Sequence, residues 1–184
     1  MLQKIKLRKK FLNLRKNKYY EINKNFFLPL IKFIKNNYKK KQCKLALYYP
    51  TNFEVNVLKI LDNNYFINKE ILLPVIEKNN SMNFYRWKKN GILIVNDFGI
   101  LEPLKSKIEI PNILLIPLLS FDDYKNRLGY GKGFYDRFLN KYIKKFKNIL
   151  TVGVAFSFQR YHKLPVTKKD IKLDLVLTEK ELIE

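Results

Sequence analysis

The sequence predicts an α/β fold, with a mainly parallel central sheet flanked by helices on both faces in a Rossmann-like three-layer architecture. Two observations lead to this prediction. Apolar runs typical of buried strands alternate with segments of helical periodicity through most of the chain, and such alternation favours a parallel sheet covered by helices. No internal repeat and no Gly/Ser-rich linker interrupts the 184 residues, so we expect a single domain over residues 1–184.

The first part of the chain is predicted to be helical. Residues 3–17 carry apolar side chains at i, i+4 and i+7, on one helical face: Leu7, Phe11 and Leu14. Residues 20–37 continue the helical pattern, and Pro29 is expected to start or kink a second helix there. Because these segments precede the first predicted strand, we expect them to pack on the outside of the sheet.

The next part alternates between strand and helix patterns. Residues 45–49 and 71–76 are short apolar runs typical of buried strands. Between them, residues 53–61 return to helical spacing, with Thr51 or Asn52 as the N-cap.

Local signals predict further details of the sheet. Pro74 cannot donate a backbone hydrogen bond, so it places its strand at a sheet edge or a bulge. Residues 82–87 and 92–95 flank Asn90-Gly91, a pattern that favours a short hairpin.

The last part contains the strongest strand and helix signals. Residues 112–121 form the most apolar stretch and predict a central strand. Residues 133–146 predict a strongly amphipathic helix, and residues 149–156 and 173–177 predict two more strands.

The chain is strongly basic, with 37 Lys and Arg against 16 Asp and Glu and a net charge of +21. This charge is compatible with a nucleic-acid-binding module that uses Lys together with Tyr and Phe stacking. Lysines occur almost everywhere in the sequence, however, so a solvated surface with attraction for a small anion is the favoured interpretation.

Composition also excludes several classes of protein. The single cysteine, Cys43, excludes an internal disulfide framework and a cysteine-built metal cluster. The apolar runs are shorter than the roughly 18–20 residues of a membrane span, and the basic N-terminus has no apolar core like that of a signal peptide. We therefore expect a cytoplasmic protein without a membrane segment.

One segment, after the predicted central strand, carries the chemistry. Three glycines at alternate positions, Gly129, Gly131 and Gly133, precede a predicted helix. Such glycines let the backbone turn with positive φ, and successive N–H groups in the turn bind anions. The N-terminus of the helix, Lys132 and Arg127 add positive charge. The segment predicts a phosphate site at the carboxyl end of a strand, although a flexible surface turn is an alternative.

The glycine spacing does not match the common Walker phosphate-binding motif. A Walker loop requires GxxxxGK[ST], whereas Lys132 lies between glycines and no hydroxyl residue follows it. Asp136, three residues after Gly133, lies in the first turn of the predicted helix. A carboxylate beside phosphates is repulsive unless a cation bridges them, so Asp136 is a candidate Mg²⁺ ligand. Compensation of the helix dipole is the alternative.

This segment resembles the signature of the 5-formyltetrahydrofolate cyclo-ligase (methenyltetrahydrofolate synthetase) family. In that family, Phe-Asp, a short turn and RLGxGxGYYD form the ATP phosphate loop, and the match here runs from Phe121 to Asp136. Weaker blocks follow the order of the family along nearly the whole chain: Lys4 and Arg8, Tyr49 and Glu54, Pro74 with Met82 and Phe84, and residues 99–103, 153–159 and 164–179. Two positions depart from the pattern, because Val75 stands where a basic residue is common and Lys169 where histidine is common.

The resemblance implies a role for each matching residue. ATP would be bound by Lys4, Arg8, Arg127, Leu128, Gly129, Tyr130, Gly131, Lys132, Gly133, Phe134 and Tyr135. The folate substrate would be bound by Tyr49, Glu54, Met82, Phe84 and Tyr135. Asp136 and Asp170 would hold Mg²⁺, and the catalytic residues would be Arg127, Lys132 and Asp136.

The implied reaction is an ATP- and Mg²⁺-dependent cyclisation of 5-formyltetrahydrofolate to 5,10-methenyltetrahydrofolate, with release of ADP and phosphate. Such an enzyme is a ligase that forms a C–N bond. ATP and 5-formyltetrahydrofolate would be its partners, without nucleic acid or membrane, and we expect a monomer. A nucleic-acid-binding module and another ATP- or phosphate-binding α/β protein are the alternatives.

Four further residues have open interpretations. His162 is either solvent-facing or a marginal ligand contact, and Trp87 is either core or a cover for the folate ring. Asp122 is either a ligand or a turn residue, and Cys43 is expected to be a buried spectator.

Overall fold

The structure, a computed structural model, describes residues 2–37, 43–142 and 149–184. Within these ranges it contains the α-helices α1 (Leu2–Lys18), α2 (Leu28–Asn37) and α3 (Phe134–Tyr142). Short 3₁₀ helices lie at Lys24–Phe27, Val57–Asp62, Asn64–Phe66 and Ser157–Gln159. No helix in the described part of the chain has both the length and the apolar character that crossing a bilayer requires.

The strands in these ranges are β1 (Lys44–Ala46), β2 (Glu70–Ile76), β3 (Met82–Arg86), β4 (Leu93–Val95), β5 (Leu101–Pro103), β6 (Ile108–Glu109), β7 (Ile113–Pro117), β8 (Ser120–Phe121), β9 (Arg127–Leu128), β10 (Leu150–Val154), β11 (Leu175–Leu177) and β12 (Leu182–Ile183). Eight of them form one sheet in the order β12-β11-β10-β7-β1-β2-β3-β6. The run from β11 to β2 is parallel, whereas β12, β3 and β6 each pair antiparallel with their neighbour. The predicted mainly parallel sheet is confirmed.

The two faces of the sheet are covered by different elements, because successive side chains of a strand point to opposite faces. On one face, strand residues such as Leu45 and Leu115 pack with Leu30 and Ile34 of α2. On the other face, Ala46, Leu114 and Val176 of the strands pack with side chains of α3: Phe138, Leu139 and Tyr142. Helices on both faces confirm the three-layer prediction.

The first helix has a different position from α2. Its apolar stripe, Leu7 and Phe11, packs against Leu119, Leu128 and Leu164, which lie in the segments that follow the carboxyl ends of β7 and β10. The expected packing on the outside of the sheet is therefore right for α2, whereas α1 covers the carboxyl end of the strands.

Pro74 lies inside β2, which has β1 and β3 as neighbours, so the predicted position of this strand at a sheet edge is wrong. The backbone N–H of Leu47 donates to the Leu72 oxygen at 2.9 Å, and β1 pairs with β2 only up to position 72. Position 74 bonds towards the same side as position 72, because bonding direction alternates along a strand. Because β1 no longer pairs with β2 at this position, the N–H that Pro74 lacks would have had no partner on β1.

Two local predictions are wrong because long-range pairing decides both. The predicted hairpin of residues 82–87 with 92–95 does not form: β3 pairs with β2 and β6, and β4 pairs with β5. Residues 53–61 begin as a tight turn, and helical structure, of the 3₁₀ type, starts only at Val57. Its N-cap is Asn56 and not Thr51 or Asn52.

The elements around the glycine segment agree with the predictions in position, although they are shorter. The 112–121 stretch forms β7, fourth in the sheet order, followed by the separate strand β8. The predicted helix over 133–146 is α3, which is described as far as Tyr142. The predicted positions Ile143 and Phe146 lie outside the described residues.

Candidate functional site

A cavity of about 370 Å³ opens beyond the carboxyl ends of β1 and β7. Its walls come from α1, from the turn after β1, from the β4–β5 ribbon and from the glycine segment. The predicted site residues in this wall are Lys4, Arg8, Tyr49, Glu54, Met82, every residue from Arg127 to Asp136, and Asp170. Most of the sequence blocks that resemble the family are thus far apart in the chain but adjacent in space, whereas the block 153–159 contributes no residue to this wall.

The glycine segment forms the predicted turn. Gly131 and Gly133 have φ values of +99° and +69°, which residues with a Cβ adopt only with strain. Arg137 at the start of α3 donates to the Lys132 carbonyl oxygen at 2.8 Å, and this bond supports the turn from outside. The turn therefore presents backbone N–H groups beside the N-terminus of α3.

Two cations beside this turn have no carboxylate partner among the described residues: Arg8 and Lys132. Arg8 Nε donates to the Gly129 carbonyl oxygen at 2.9 Å, and a Cβ added at Gly131 would lie 3.1 Å from Arg8 Cζ. The glycine is therefore needed for the close approach of the guanidinium. The ammonium group of Lys132 lies 5.6 Å from the ring centroid of Phe98. Their positive charge is available to an anion in the cavity.

Asp136 and Arg127 form a pair at the bottom of the turn. Arg127 Nη2 donates to Asp136 Oδ1 at 2.5 Å, and Nη1 donates to the Ile171 carbonyl oxygen at 2.8 Å. Ile171 N also donates to Asp136 Oδ1, at 3.2 Å. Burial lowers the pKa of Arg127, and the nearby carboxylates of Asp136 and Asp170 act against that shift. Arg127 thus positions Asp136, and its predicted contact with phosphate stays a prediction.

Asp170 forms a similar pair with α1. Lys4 Nζ donates to Asp170 Oδ2 at 2.6 Å, and Thr167 N donates to the same oxygen at 2.6 Å. Burial acts to raise the pKa of Asp170, but the hydrogen bonds from Lys4 and Thr167 outweigh it and hold the pKa below its ordinary value. Asp170 is therefore a carboxylate anion at neutral pH.

The chemistry of these two carboxylates fits a magnesium ion. Asp136 Oδ2 and Asp170 Oδ1 accept no hydrogen bond within the described ranges, since every such bond to these groups ends on the other oxygen. The described residues contain no group of three or more His, Cys, Asp or Glu that could hold a metal alone. Mg²⁺ is commonly bound by one or two carboxylates, with phosphates and water as its other ligands. The donor set is of that kind.

Glu54 is held at the cavity by a strained turn. Its backbone N–H donates to the Thr51 oxygen at 2.9 Å, and the two central residues, Asn52 and Phe53, have φ values of +49° and +61°. A left-handed phenylalanine is unusual and costs free energy. Thr51 N in turn donates to Glu54 Oε2 at 2.8 Å. The turn thus fixes both the backbone and one carboxylate oxygen of Glu54.

The charge state of Glu54 depends on its surroundings. The residue is only 6% exposed. Burial raises the pKa of Glu54, whereas hydrogen bonds from Tyr130 and Thr51 and the charge of Arg15 act to lower it. Burial also raises the pKa of Tyr135 well above its ordinary value, so this phenol stays protonated as a hydrogen-bond donor.

Phe84 is the one predicted site residue that the structure does not place in the cavity wall. Met82 begins β3 at the cavity side of the sheet, and Phe84 lies two residues deeper on the same face. Its fully buried ring packs edge-to-face against Phe138 of α3, with centroids 4.8 Å apart. The structure therefore corrects the expected folate contact of Phe84 to a core position.

Three of the four remaining residues have structural positions. Buried Asp122 accepts hydrogen bonds from the backbone N–H of Tyr124, Asn126 and Leu164, so it organises the turn. Trp87 packs on the α2 side of the core and donates to the Gly91 oxygen. His162 is exposed, and Cys43 is buried.

Several cavity residues were not assigned a role from the sequence. Phe98, Ile100 and Glu102 come from the β4–β5 ribbon, whose position depends on long-range contacts that no local pattern indicates. Arg15 of α1 contacts the site from behind the cavity wall. A signal for Arg15 did exist, because it continues the i, i+4 spacing of Leu7 and Phe11 on the buried face of α1.

The chain matches a model of the 5-formyltetrahydrofolate cyclo-ligase family over residues 2–179. It is 32% identical over 149 residues to the 5-formyltetrahydrofolate cyclo-ligase of Haemophilus influenzae, covering 75% of this chain and 77% of that protein. It is 31% identical over 147 residues to the protein of that name from Escherichia coli K12, covering 76% of this chain and 80% of that one.

Two solved structures resemble the whole chain. The first is the 5,10-methenyltetrahydrofolate synthetase of Aquifex aeolicus, with a TM-score of 0.76, 36% identity and coverage of 99% of this chain and 92% of that one. The second is a 5,10-methenyltetrahydrofolate synthetase from Mycoplasma pneumoniae, with a TM-score of 0.70 over 96% of this chain and 98% of that one. At 23% identity, the second supports the fold alone.

Proposed function

The chain belongs to the 5-formyltetrahydrofolate cyclo-ligase family, and on that premise we propose that it closes 5-formyltetrahydrofolate to 5,10-methenyltetrahydrofolate with ATP and Mg²⁺, releasing ADP and phosphate. The reaction forms a C–N bond, and the enzyme is a ligase of folate one-carbon metabolism. Family membership favours this function over the two alternatives left by the sequence. Monomeric state and cytoplasmic location remain predictions.

One observation supports the proposal most directly: groups suited to both substrates line the same cavity. The glycine turn, Arg8 and Lys132 offer backbone N–H groups and positive charge, which suit the phosphates of ATP. Glu54 offers a buried carboxylate, which suits the N–H donors at the edge of a pterin. The two substrates would therefore be neighbours, as a reaction between them requires.

The proposed chemistry needs orientation more than a protein nucleophile. The formyl oxygen on N5 attacks the γ-phosphorus, and the bond from this phosphorus to the bridging oxygen breaks, so ADP leaves. N10 then attacks the activated formyl carbon, which forms the new C–N bond. N10 loses its proton, the bond from carbon to the phosphorylated oxygen breaks, and inorganic phosphate leaves.

Each charged residue has a part in this sequence. Arg8 and Lys132 neutralise the phosphate oxygens, and Glu54 orients the pterin so that its formyl oxygen faces the γ-phosphate. Asp136 and Asp170 would hold Mg²⁺ through their free oxygens, while Arg127 and Lys4 keep the two carboxylates in place. When bound, the ion would supply positive charge to the phosphates.

The test is an absorbance assay. The protein is mixed with 5-formyltetrahydrofolate, ATP and MgCl₂, and the near-ultraviolet absorbance of the methenyl product is followed. We expect product that requires both ATP and Mg²⁺, and a control with ADP in place of ATP should form none. Absence of product in the complete mixture, or product without ATP, would contradict the proposal.

A further inference from the structure

Arg15 is a buried cation in the described part of the chain, and Glu54 is an acid whose pKa its charge affects. Arg15 is 1% exposed, and its guanidinium forms no ion pair with the carboxylates of the described residues. Removing such a charge from water is costly unless hydrogen bonds compensate. The hydrogen bonds of the guanidinium must therefore compensate for the cost of burying its charge.

Those contacts connect three separate parts of the site. Nε donates to the Asn52 oxygen at 3.0 Å, Nη1 to the Leu118 oxygen at 3.2 Å, and Nη2 to the Tyr130 hydroxyl at 2.5 Å. Asn52 lies in the strained turn that holds Glu54, and Leu118 follows the central strand. Tyr130 belongs to the phosphate-binding turn. One planar group thus fixes these three segments relative to each other.

Tyr130 extends the connection to Glu54. Its hydroxyl accepts from Arg15 and donates to Glu54 Oε1 at 2.5 Å. Its backbone lies between Gly129, whose oxygen holds Arg8, and Gly131, whose φ is +99°. The ring itself lines the cavity and is 38% exposed. The same residue is therefore part of the phosphate-binding turn through its backbone and of the pterin site through its hydroxyl.

We propose that Arg15 and Tyr130 couple the binding of the two substrates, so that a nucleotide at the Gly129–Gly133 turn increases the affinity for 5-formyltetrahydrofolate. This inference rests on the proposed function. A nucleotide that binds the turn restricts the backbone of Tyr130, and through the existing bonds of Tyr130 and Arg15 it also restricts Glu54 and the turn that holds it. Whichever substrate binds first orders the shared element, so the second binds with less ordering cost. The effect is reciprocal by thermodynamic linkage.

The experiment measures affinity instead of turnover. Isothermal titration calorimetry gives the Kd of 5-formyltetrahydrofolate in MgCl₂, with and without a saturating non-hydrolysable ATP analogue. For the wild type we expect the analogue to lower this Kd about tenfold, within the usual range for coupled sites. In Tyr130→Phe, which keeps the ring but loses the hydroxyl, the ratio should fall to about 1–2.

Two further variants test the role of Arg15 and the specificity of the effect. Arg15→Lys keeps a charge but cannot make the three bonds, so it should also reduce the ratio, and its thermal unfolding shows whether it folds. Tyr124→Phe removes a hydroxyl from a tyrosine that is 61% exposed in the preceding turn, and its ratio should equal that of the wild type.

The outcomes separate the inference from the proposed function. A ratio in Tyr130→Phe equal to that of the wild type would mean that the substrates couple by touching each other, and it would overturn the inference. A wild-type ratio of 1 in a protein that still forms the methenyl product would overturn the inference alone. A wild type that forms no product contradicts the proposed function, and the inference with it.

Discussion

The two ends of the parallel strands both carry charged clusters, which differ in how their described charges are paired. At the amino end, Glu109 is bound through Oε2 by Lys44 at 2.5 Å and through Oε1 by Arg86 at 3.0 Å, and Arg86 also lies 3.2 Å from Glu70. At the carboxyl end, Asp136 and Asp170 each keep an oxygen that accepts no hydrogen bond from the described residues. Arg8 beside them has no described acid as partner.

This difference separates a structural cluster from a functional one. Opposite charges that satisfy each other contribute modestly to stability and attract no ligand. Charges that are oriented by the protein but not fully paired remain available to bind a substrate, and their partners keep them in place before it arrives. Substitutions at the two ends should therefore change different measurements.

The largest effect is expected from Asp136→Asn at the carboxyl end. The change removes the free carboxylate oxygen and leaves the Arg127 guanidinium, 5% exposed, without its anion. We expect kcat to fall at least about 100-fold, because a lost charge contact in the transition state costs several kcal/mol.

The comparison for this variant is Asp123→Asn, at an exposed carboxylate whose ion-pair partner in the described ranges is Arg160. Its kcat should match that of the wild type. Full activity of Asp136→Asn at ordinary Mg²⁺ concentrations would remove Asp136 from the metal site.

Arg8→Ala should have the next largest effect. Because Arg8 is the guanidinium nearest Gly131, its loss should raise the KM for ATP about tenfold, in line with one charge-assisted hydrogen bond. The KM for the folate should change less. Lys9→Ala, an exposed neighbour on α1, is the matched control, and an unchanged ATP dependence in Arg8→Ala would place Arg8 outside the nucleotide site.

At the amino end, Glu109→Gln should change stability and leave kcat and KM unaltered. The hydrogen bond from Lys44 lowers the pKa of Glu109 below its ordinary 4.5. A carboxyl whose pKa is lowered by folding contributes stability above its unfolded pKa and loses it as the pH falls through the folded value. We expect a loss of about 1 kcal/mol in the free energy of unfolding at pH 7, which shrinks as the pH falls below the ordinary pKa and vanishes once the carboxyl is protonated in the folded state.

The free energies of unfolding of the wild type and of Glu109→Gln are measured by urea unfolding from pH 7 down into the acidic range. The control is Glu181→Gln, at an exposed carboxylate. A change in KM for either substrate would contradict the structural assignment of the amino end.

The smallest effect is expected from Phe98→Ala on the β4–β5 ribbon. The ring is 47% exposed and lies under the ammonium group of Lys132. An exposed cation–π contact contributes about 0.5–1 kcal/mol, so the KM for ATP should rise about two- to fivefold. Ile94→Ala, exposed on the same ribbon, should behave as the wild type in the same steady-state assay. An equal change in both variants would attribute the effect to the ribbon as a whole.

The carboxyl end was largely predictable from sequence, because its information is local. The alternating glycines, Lys132 and Asp136 lie within eight residues, and together they favoured a phosphate-binding turn before a helix, with a flexible surface turn as the alternative. Lys4 and Arg8 were named through the resemblance, and the structure places both at the cavity.

Features that depend on distant partners were not predictable. The turn at Asn52 and Phe53 takes left-handed backbone angles against the local preference of these residues. It is stabilised from another element, α1, because Arg15 donates a hydrogen bond to the Asn52 carbonyl oxygen. The pairing of β3 with β2 and β6 overrides a good hairpin signal at Asn90-Gly91. The resemblance placed Phe84 at the ligand, whereas its depth along β3 places it in the core.

Pro74 has a consequence for aggregation. An open flank of a strand normally invites another polypeptide to add to the sheet, which is a route to aggregation. Here β2 has such a flank past Leu72, but Pro74 offers no N–H there, and Glu102 Oε1 accepts the N–H of Ile76 at 2.8 Å. Neither position offers a free N–H donor to an added strand. The cleft beside β2 can therefore stay open to small molecules without promoting strand addition by another polypeptide.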